Sequence, residues 1–430
     1  MPEFTDLRGR DKGTVNPPLR VMVVDDTTTY RMIVRQSAEA VAGINVVDFA
    51  TNGRIAMDKL SRTPVDVVLL DVEMPEMDGL TTLRHITEQY PHIAVVMVSA
   101  ASHTNADIVV ECLNSGAFDF VTKPLESDMD RSKGALVASL RPILTLLARR
   151  GRRPTTTAPA PVAPSFGRLP VSPPVVATGD EPITERRETS RPPPPVARPP
   201  AGLPPAGRTE TAMPVQARKV AVARPAGREP APTALIWDQK PAILLIGSST
   251  GGPAALTRLL SDIPPGLPIP AMIVQHMPPM FTLSLAAQLA RSTGHTVQEA
   301  GHDQALEPGR ILLAPGGRHM SVKKQGGLLR TVLNDGPKVN GCRPSVDVLF
   351  MSVVASFAEP VLAVVLTGMG NDGANGVKGL KRSGRTYCVT QSRESCVVYG
   401  MPRVVEEMGL SDASLALDQM GAHISALCRA

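Results

Sequence analysis

The sequence predicts an α/β protein of two doubly wound parallel-sheet domains, the second with a β-hairpin, joined by a long disordered linker rich in proline and arginine. Three observations predict it. Short apolar runs alternate with helically spaced apolar residues over 19–149, and the same alternation resumes over 237–430. Between them, residues 151–234 hold 20 of the 42 prolines, a single aromatic residue (Phe166) and few large aliphatic side chains, too little to form a core. At 430 residues the chain is also too long for one ordinary core. The expected division is a disordered tail (1–18), a first domain (19–149), the linker (150–236) and a second domain (237–430).

The linker explains the charge. Residues 151–234 carry 11 Arg and one Lys against six acids, a net +6, while the whole chain is +5, so the rest sums to about −1. The basic balance therefore marks a solvated spacer and not a nucleic-acid-binding domain, and the second domain shows no helix-turn-helix pattern. Five cysteines without metal-ligand spacing are expected as reduced thiols. No apolar run has the length of a membrane span, and the N-terminus has no apolar signal region, so a cytoplasmic protein without direct membrane insertion is expected.

In the first domain strands are predicted at Val21–Val24, Asn45–Phe49, Val65–Leu70, Ala94–Val98 and Phe118–Val121. An open parallel sheet places its site beyond the carboxyl ends of its strands. Those positions hold Asp25, Asp26, Asp71, Ser99 and Lys123. Converging carboxylates repel one another unless a cation joins them, and a hard, oxygen-seeking Mg²⁺ suits three of them; a lysine and a hydroxyl nearby suit a phosphoryl group. The strings VVDD (Val23–Asp26), LLDVEMPEMDGL (Leu69–Leu80), VMVSA (Val96–Ala100) and GAFDFVTKP (Gly116–Pro124) resemble the flavodoxin-like receiver domain of response regulators over its full length. The resemblance implies that Asp71 accepts the phosphoryl group and that Asp25, Asp26, Asp71 and the backbone carbonyl of Glu73 hold Mg²⁺. It further implies Ser99 and Phe120 as the switch pair and Lys123 as the contact to phosphoryl oxygens. The run Thr27–Tyr30 departs from the smaller, more apolar residues often found there and is expected to leave the chemistry untouched.

In the second domain strands are predicted at Ala242–Ile246, Ala271–Gln275, Arg310–Ala314, Val361–Thr367 and Thr386–Thr390, with helices at Pro253–Leu260, Phe281–Arg291, Pro344–Phe357 and Ala374–Arg382. A hairpin is predicted at His319–Val332 around Gly326-Gly327. The string Gly247-Ser248-Ser249-Thr250-Gly251-Gly252 lies between a strand and a helix opened by Pro253. It fits a nucleophile elbow, and on its own it fits a phosphate-binding turn equally well. A serine nucleophile needs a base and an orienting acid; His276 and Asp372 also follow strands, whereas the lysine a phosphate loop calls for is missing. Ser249, central in the elbow, is preferred to Ser248.

This domain resembles the catalytic domain of the CheB-type chemotaxis protein-glutamate methylesterases through IGSSTGGP, VQHMPPMFT, LAPGGRHM, RPSVDVLF and LTGMGNDGA, spread from Ile246 to Ala374. The resemblance implies Ser249 as nucleophile, His276 as base, Asp372 as orienting acid, the backbone N–H of Met369 as oxyanion donor and Thr250 in support, with no cofactor in this domain. It implies demethylation and deamidation of chemoreceptor side chains, controlled by phosphorylation from a chemotaxis histidine kinase; the partners are that kinase and the receptor's cytoplasmic domain. Cys342 stands before Arg343 where family members often carry a basic residue, and the linker is longer than the family usually shows. The rival reading is a regulator whose second domain only binds a nucleotide or an adaptor protein.

Overall fold

The structure, a computed structural model, describes residues 17–124, 129–150 and 237–429, so all but two residues of the expected tail and almost all of the expected linker lie outside the described residues. The first domain runs β1 (Leu19–Val24), α1 (Thr28–Glu39), β2 (Ile44–Ala50), α2 (Gly53–Leu60), β3 (Val67–Asp71), α3 (Gly79–Gln89), β4 (Ala94–Ala100), α4 (His103–Asn114), β5 (Asp119–Lys123) and α5 (Met129–Arg149). Its five strands are parallel in the order β2-β1-β3-β4-β5. β3 is buried at every position, which is why its sequence does not alternate but is continuously apolar up to Asp71 at its end. Helix starts follow from the residues before them: Asn52, Asp78 and Ser102 each accept a backbone N–H of the first turn with their side chains.

The second domain runs β6 (Ile243–Ser248), α6 (Gly252–Ser261), β7 (Ala271–Gln275), α7 (Phe281–Thr293), β8 (Thr296–Glu299), β9 (Arg310–Leu313), β10 (His319–Gln325), β11 (Leu328–Asn334), α8 (Val346–Ser356), β12 (Val361–Val365), α9 (Ala374–Lys381), β13 (Thr386–Gln391), α10 (Met401–Glu407), β14 (Ala413–Leu415) and α11 (Leu417–Arg429). Seven parallel strands form one sheet in the order β14-β13-β12-β6-β7-β9-β8. β10 and β11 pair as the expected hairpin, with Gly326 and Gly327 both at positive φ. Strand order reverses at β6, which lies between β12 and β7; a crevice opens at such a switch point. The sequence predicts five strands here, and the sheet adds β8 and β14 as its two edges.

Both domains belong to one compact unit. α4 of the first packs on α6 and α7 of the second, and one apolar cluster joins residues of both. Polar contacts complete the junction: Thr257 Oγ1 to Asn114 Oδ1 at 3.0 Å, Thr250 Oγ1 to Asp119 Oδ2 at 2.6 Å, and Arg150 to the carbonyl of Val397. Among the described residues no helix is long and apolar enough to cross a membrane.

Candidate active site

Two sites form at strand ends. In the first domain the carboxylate oxygens of Asp25, Asp26 and Asp71 lie within 4.8 Å of one another. Lys123 bridges two of them, with Nζ 2.8 Å from Asp25 and 2.7 Å from Asp71. Burial is the main reason the Asp71 carboxyl is raised to about 6; Lys123 pulls it down and the charge of Asp25 pushes it up. An all-oxygen donor set of this kind fits a hard divalent cation. Asp26 and Glu73 line the cleft beside it. Ser99 is fully buried, its hydroxyl donating to the carbonyl of Ala100 at 3.1 Å. The ring of Phe120 lies 4.6 Å from that of Phe281 in the second domain. The Thr27–Tyr30 run is closer to the chemistry than its sequence suggests: the Tyr30 ring centroid lies 4.8 Å from Lys123 Nζ, and its hydroxyl donates to the carbonyl of Pro124 at 3.2 Å.

In the second domain the elbow follows β6. Gly251 caps α6 in the left-handed region (φ 77), where a Cβ would also come within 2.5 Å of Val397. Ser248 is fully buried and its hydroxyl donates to Gln275 Oε1 at 2.7 Å. Ser249 is half-buried, and among the described residues its hydroxyl has no hydrogen-bond partner. The register of β6 and β7 sets Ser248 opposite Gln275, so Ser249 and His276 are the next residues off adjacent strand ends. Gln275 ties the two ends together, its amide donating to the carbonyls of Ser249 at 3.0 Å and His276 at 3.3 Å.

His276 and Asp372 meet across the switch point, Nε2 to Oδ2 at 2.8 Å. Asp372 is anchored at the start of α8: its Oδ2 also accepts the Val346 N–H at 2.6 Å, and its Oδ1 accepts from Ser345 Oγ and Asn340 Nδ2 at 2.8 Å each and from the Asp347 N–H at 3.2 Å. Burial alone would raise this carboxyl, but the bonds from His276, Asn340 and Val346 hold it at about 2. Burial would likewise lower the His276 imidazole, yet Asp372 and then the Cys342 sulfur raise it to about 9. The pair is thus a carboxylate facing an imidazole that readily takes a proton. Nδ1, the nitrogen left for proton exchange, lies 3.5 Å from Cys342 Sγ, and among the described residues no hydrogen bond joins His276 to Ser249.

Two residues invisible to motif reasoning complete this network. Asn340 (φ 53) and Gly341 (φ 78) form a tight turn closed by paired backbone bonds between Val339 and Cys342. That turn delivers the Asn340 amide to Asp347 and Asp372 together, at 2.8 Å from each. An Asn-Gly pair was the available signal. Met369 sits in the loop after β12, and among the described residues its backbone N–H and that of Thr250 have no hydrogen-bond partner. The Thr250 side chain is directed at Asp119 in the first domain, not at the serine.

A receiver-type sheet with an acidic pocket, followed by a sheet carrying a buried histidine–carboxylate pair next to a serine turn, defines a response regulator with an enzymatic output domain. The CheB methylesterase family matches residues 244–424, and the response regulator receiver domain family matches residues 21–131. A protein-glutamate methylesterase/protein-glutamine glutaminase of group 2 operon from Rhodopseudomonas palustris is 37% identical over 405 residues, covering 94% of this chain and 93% of its own. A protein-glutamate methylesterase/protein-glutamine glutaminase from Alkalilimnicola ehrlichii is 37% identical over 415 residues, covering 95% and 99%. The solved CheB methylesterase catalytic domain of Thermotoga maritima is 37% identical, with a TM-score of 0.42, over 44% of this chain and 99% of that one. The chain belongs to the protein-glutamate methylesterase/protein-glutamine glutaminase family.

Proposed function

We propose that this chain removes methyl groups from glutamate γ-esters, and amide nitrogen from selected glutamines, on the cytoplasmic domain of methyl-accepting chemoreceptors, in the cytoplasm. In this reading Ser249 attacks the γ-carbonyl while His276 takes its proton at Nδ1 and Asp372 holds the resulting imidazolium. As the tetrahedral intermediate collapses, the imidazolium of His276 returns its proton to the ester oxygen or amide nitrogen while the bond to carbon breaks, so that methanol or ammonia departs; water then hydrolyses the acyl-serine by the same relay. The N–H groups of Met369 and Thr250 are the oxyanion donors, each worth roughly 3 to 4 kcal/mol in such sites. The contact that carries the reading is the 2.8 Å pair of His276 and Asp372, with His276 and Ser249 each one residue beyond the paired strand ends Gln275 and Ser248.

Phosphorylation on Asp71 by a chemotaxis histidine kinase is the proposed control. Asp25, Asp26, Asp71 and the carbonyl of Glu73 would hold Mg²⁺, which supplies charge neutralisation for the incoming phosphoryl group. Lys123 would exchange its contact with the Asp71 carboxylate for the phosphoryl oxygens, with Ser99 and Phe120 passing the change to the interface. Gating is supported by the position of Phe120 and Asp119 directly against the second domain, Asp119 on the side chain next to Ser249.

Incubating the full chain with a methylated receptor fragment tests both halves. Methanol release, abolished in Ser249→Ala and raised by a phosphoryl donor in wild type but not in Asp71→Asn, is the expected result. Near-normal release from Ser249→Ala would overturn the site, and equal rates with and without the donor would overturn the gating.

A further inference from the structure

The turn that delivers Asn340 also brings a thiol to the other face of the histidine. Cys342 is half-buried, its Sγ 3.5 Å from His276 Nδ1 and 3.6 Å from the carbonyl of Asn340. The imidazole is therefore held at both nitrogens, Asp372 on Nε2 and sulfur on Nδ1. A cysteine, a histidine and a buried carboxylate in line form the arrangement that makes a thiol nucleophilic: the S–H proton passes to the imidazole, and the carboxylate stabilises the imidazolium. Among the described residues none of the other four cysteines hydrogen-bonds a histidine, and burial pushes Cys112, Cys388 and Cys396 up to about 12 and Cys428 up to about 11, holding them as thiols.

We propose that Cys342 is a site of reversible oxidation by hydroperoxides, activated by His276, and that its oxidised form occupies the nitrogen the hydrolytic reaction needs. The thiol proton moves to Nδ1; the thiolate attacks the terminal peroxide oxygen, forming an S–O bond as the O–O bond breaks. The leaving alkoxide, or hydroxide from hydrogen peroxide, takes the proton back from Nδ1 and departs as alcohol or water. Sulfur is oxidised by two electrons and the peroxide reduced by two. The sulfenic acid then presents an O–H to Nδ1 and places an oxygen in front of it, so the base no longer serves Ser249. Thiols restore the free cysteine. The activation step stands on the cysteine–histidine geometry; the loss of hydrolysis rests on the proposed function.

The test exposes the full chain to hydrogen peroxide with dimedone present and locates adducts by peptide mass spectrometry. Cys342 is expected to be labelled at least about tenfold faster than any other cysteine, and His276→Ala and Asp372→Asn to slow that labelling by about tenfold. Equal labelling of all five cysteines, or labelling of Cys342 indifferent to His276, overturns the activation. The His276 ring ¹⁵N resonances are expected to shift on oxidation without dimedone and to return with dithiothreitol; unchanged resonances in oxidised protein overturn the capture of Nδ1. Hydrolysis of the methylated fragment should fall with oxidation in wild type, while Cys342→Ser keeps its own untreated rate. Absence of hydrolysis in untreated wild type would count against the hydrolase reading alone, because the adduct and resonance readouts need no substrate.

Discussion

The ring of Phe120, in β5 of the receiver, lies 4.6 Å from that of Phe281, the first residue of α7 in the catalytic domain, with the planes inclined by 42°. Such a pair adds about 0.5–1.5 kcal/mol beyond the area it buries. Phe281 is fully buried with both domains in place, whereas Phe120 is only half-buried, so removing the Phe120 ring weakens the junction. Phe120→Ala is expected to raise the unphosphorylated esterase rate roughly two- to twelvefold, the population change that this energy corresponds to. Methanol release without a phosphoryl donor measures it, and an unchanged or lower rate would count against gating through this contact.

Asp119 gives the same junction a pH dependence. Burial raises its carboxyl to about 6, with the bonds from Thr250 and its own backbone opposing. No cation is among the groups that act on it. A carboxyl raised in the packed state binds its proton more tightly there than when exposed. Packing is therefore favoured in full below the ordinary carboxyl range near 3.8 and loses that contribution as pH rises through about 6. Asp119→Asn, which cannot ionise, is expected to hold the domains together equally at pH 5 and pH 7.5. Small-angle scattering of wild type should show expansion between those values; parallel behaviour of wild type and variant would refute the linkage.

Central strands were legible because both sheet faces are covered: β3, β7 and β12 are buried at every position and read as apolar runs, broken only by Asp71 and Gln275 at the carboxyl ends of β3 and β7. The edge strands β8 and β14 were not, since Thr296–Glu299 and Ala413–Leu415 are short, half-buried and carry no such run. The alignment of His276 with Asp372 was readable from strand-end placement. The opposite face of the ring was not, because Cys342 reaches Nδ1 only through the left-handed pair Asn340-Gly341. Asp119 reads as an ordinary strand residue, since its partner Thr250 lies 131 positions away in the other domain.

The histidine–carboxylate pair predicts opposite pH dependences for stability and activity. His276 is raised to about 9, so its contribution to stability is present in full below the free imidazole value near 6.5 and is lost as pH rises through about 9. Activity runs the other way, because only the neutral ring accepts the serine proton: hydrolysis is expected to climb from pH 6.5 toward 9. Asp372→Asn removes the group that holds the proton, so the variant should show a lower midpoint together with a rate reduced by roughly 10²–10⁴-fold. A pH–rate profile whose midpoint is the same in both proteins would detach the titration from this pair.

Asn340 gives the sharpest separation of positioning from chemistry. Its amide donates to Asp347 and Asp372 at once, and among the described residues no hydrogen bond joins it to Ser249 or His276. With the amide removed, two buried carboxylates lose the donor they share, and Asp347 is already pushed upward by its burial and then by the charge of Asp372, with the Asn340 bond among those opposing. Asn340→Ala is therefore expected to let Asp372 drift from Nε2 of His276 and to lower kcat by about tenfold, the usual scale for a partner that orients a catalytic group, with KM nearly unchanged. Asn340→Asp should be worse, because it replaces the shared donor with a third carboxylate at the same point. The turn itself needs a residue tolerant of positive φ (53°), so Asn340→Gly controls for backbone strain. If the glycine variant matches wild type in kcat, the side chain does no positioning and Asp372 is held by α8 alone.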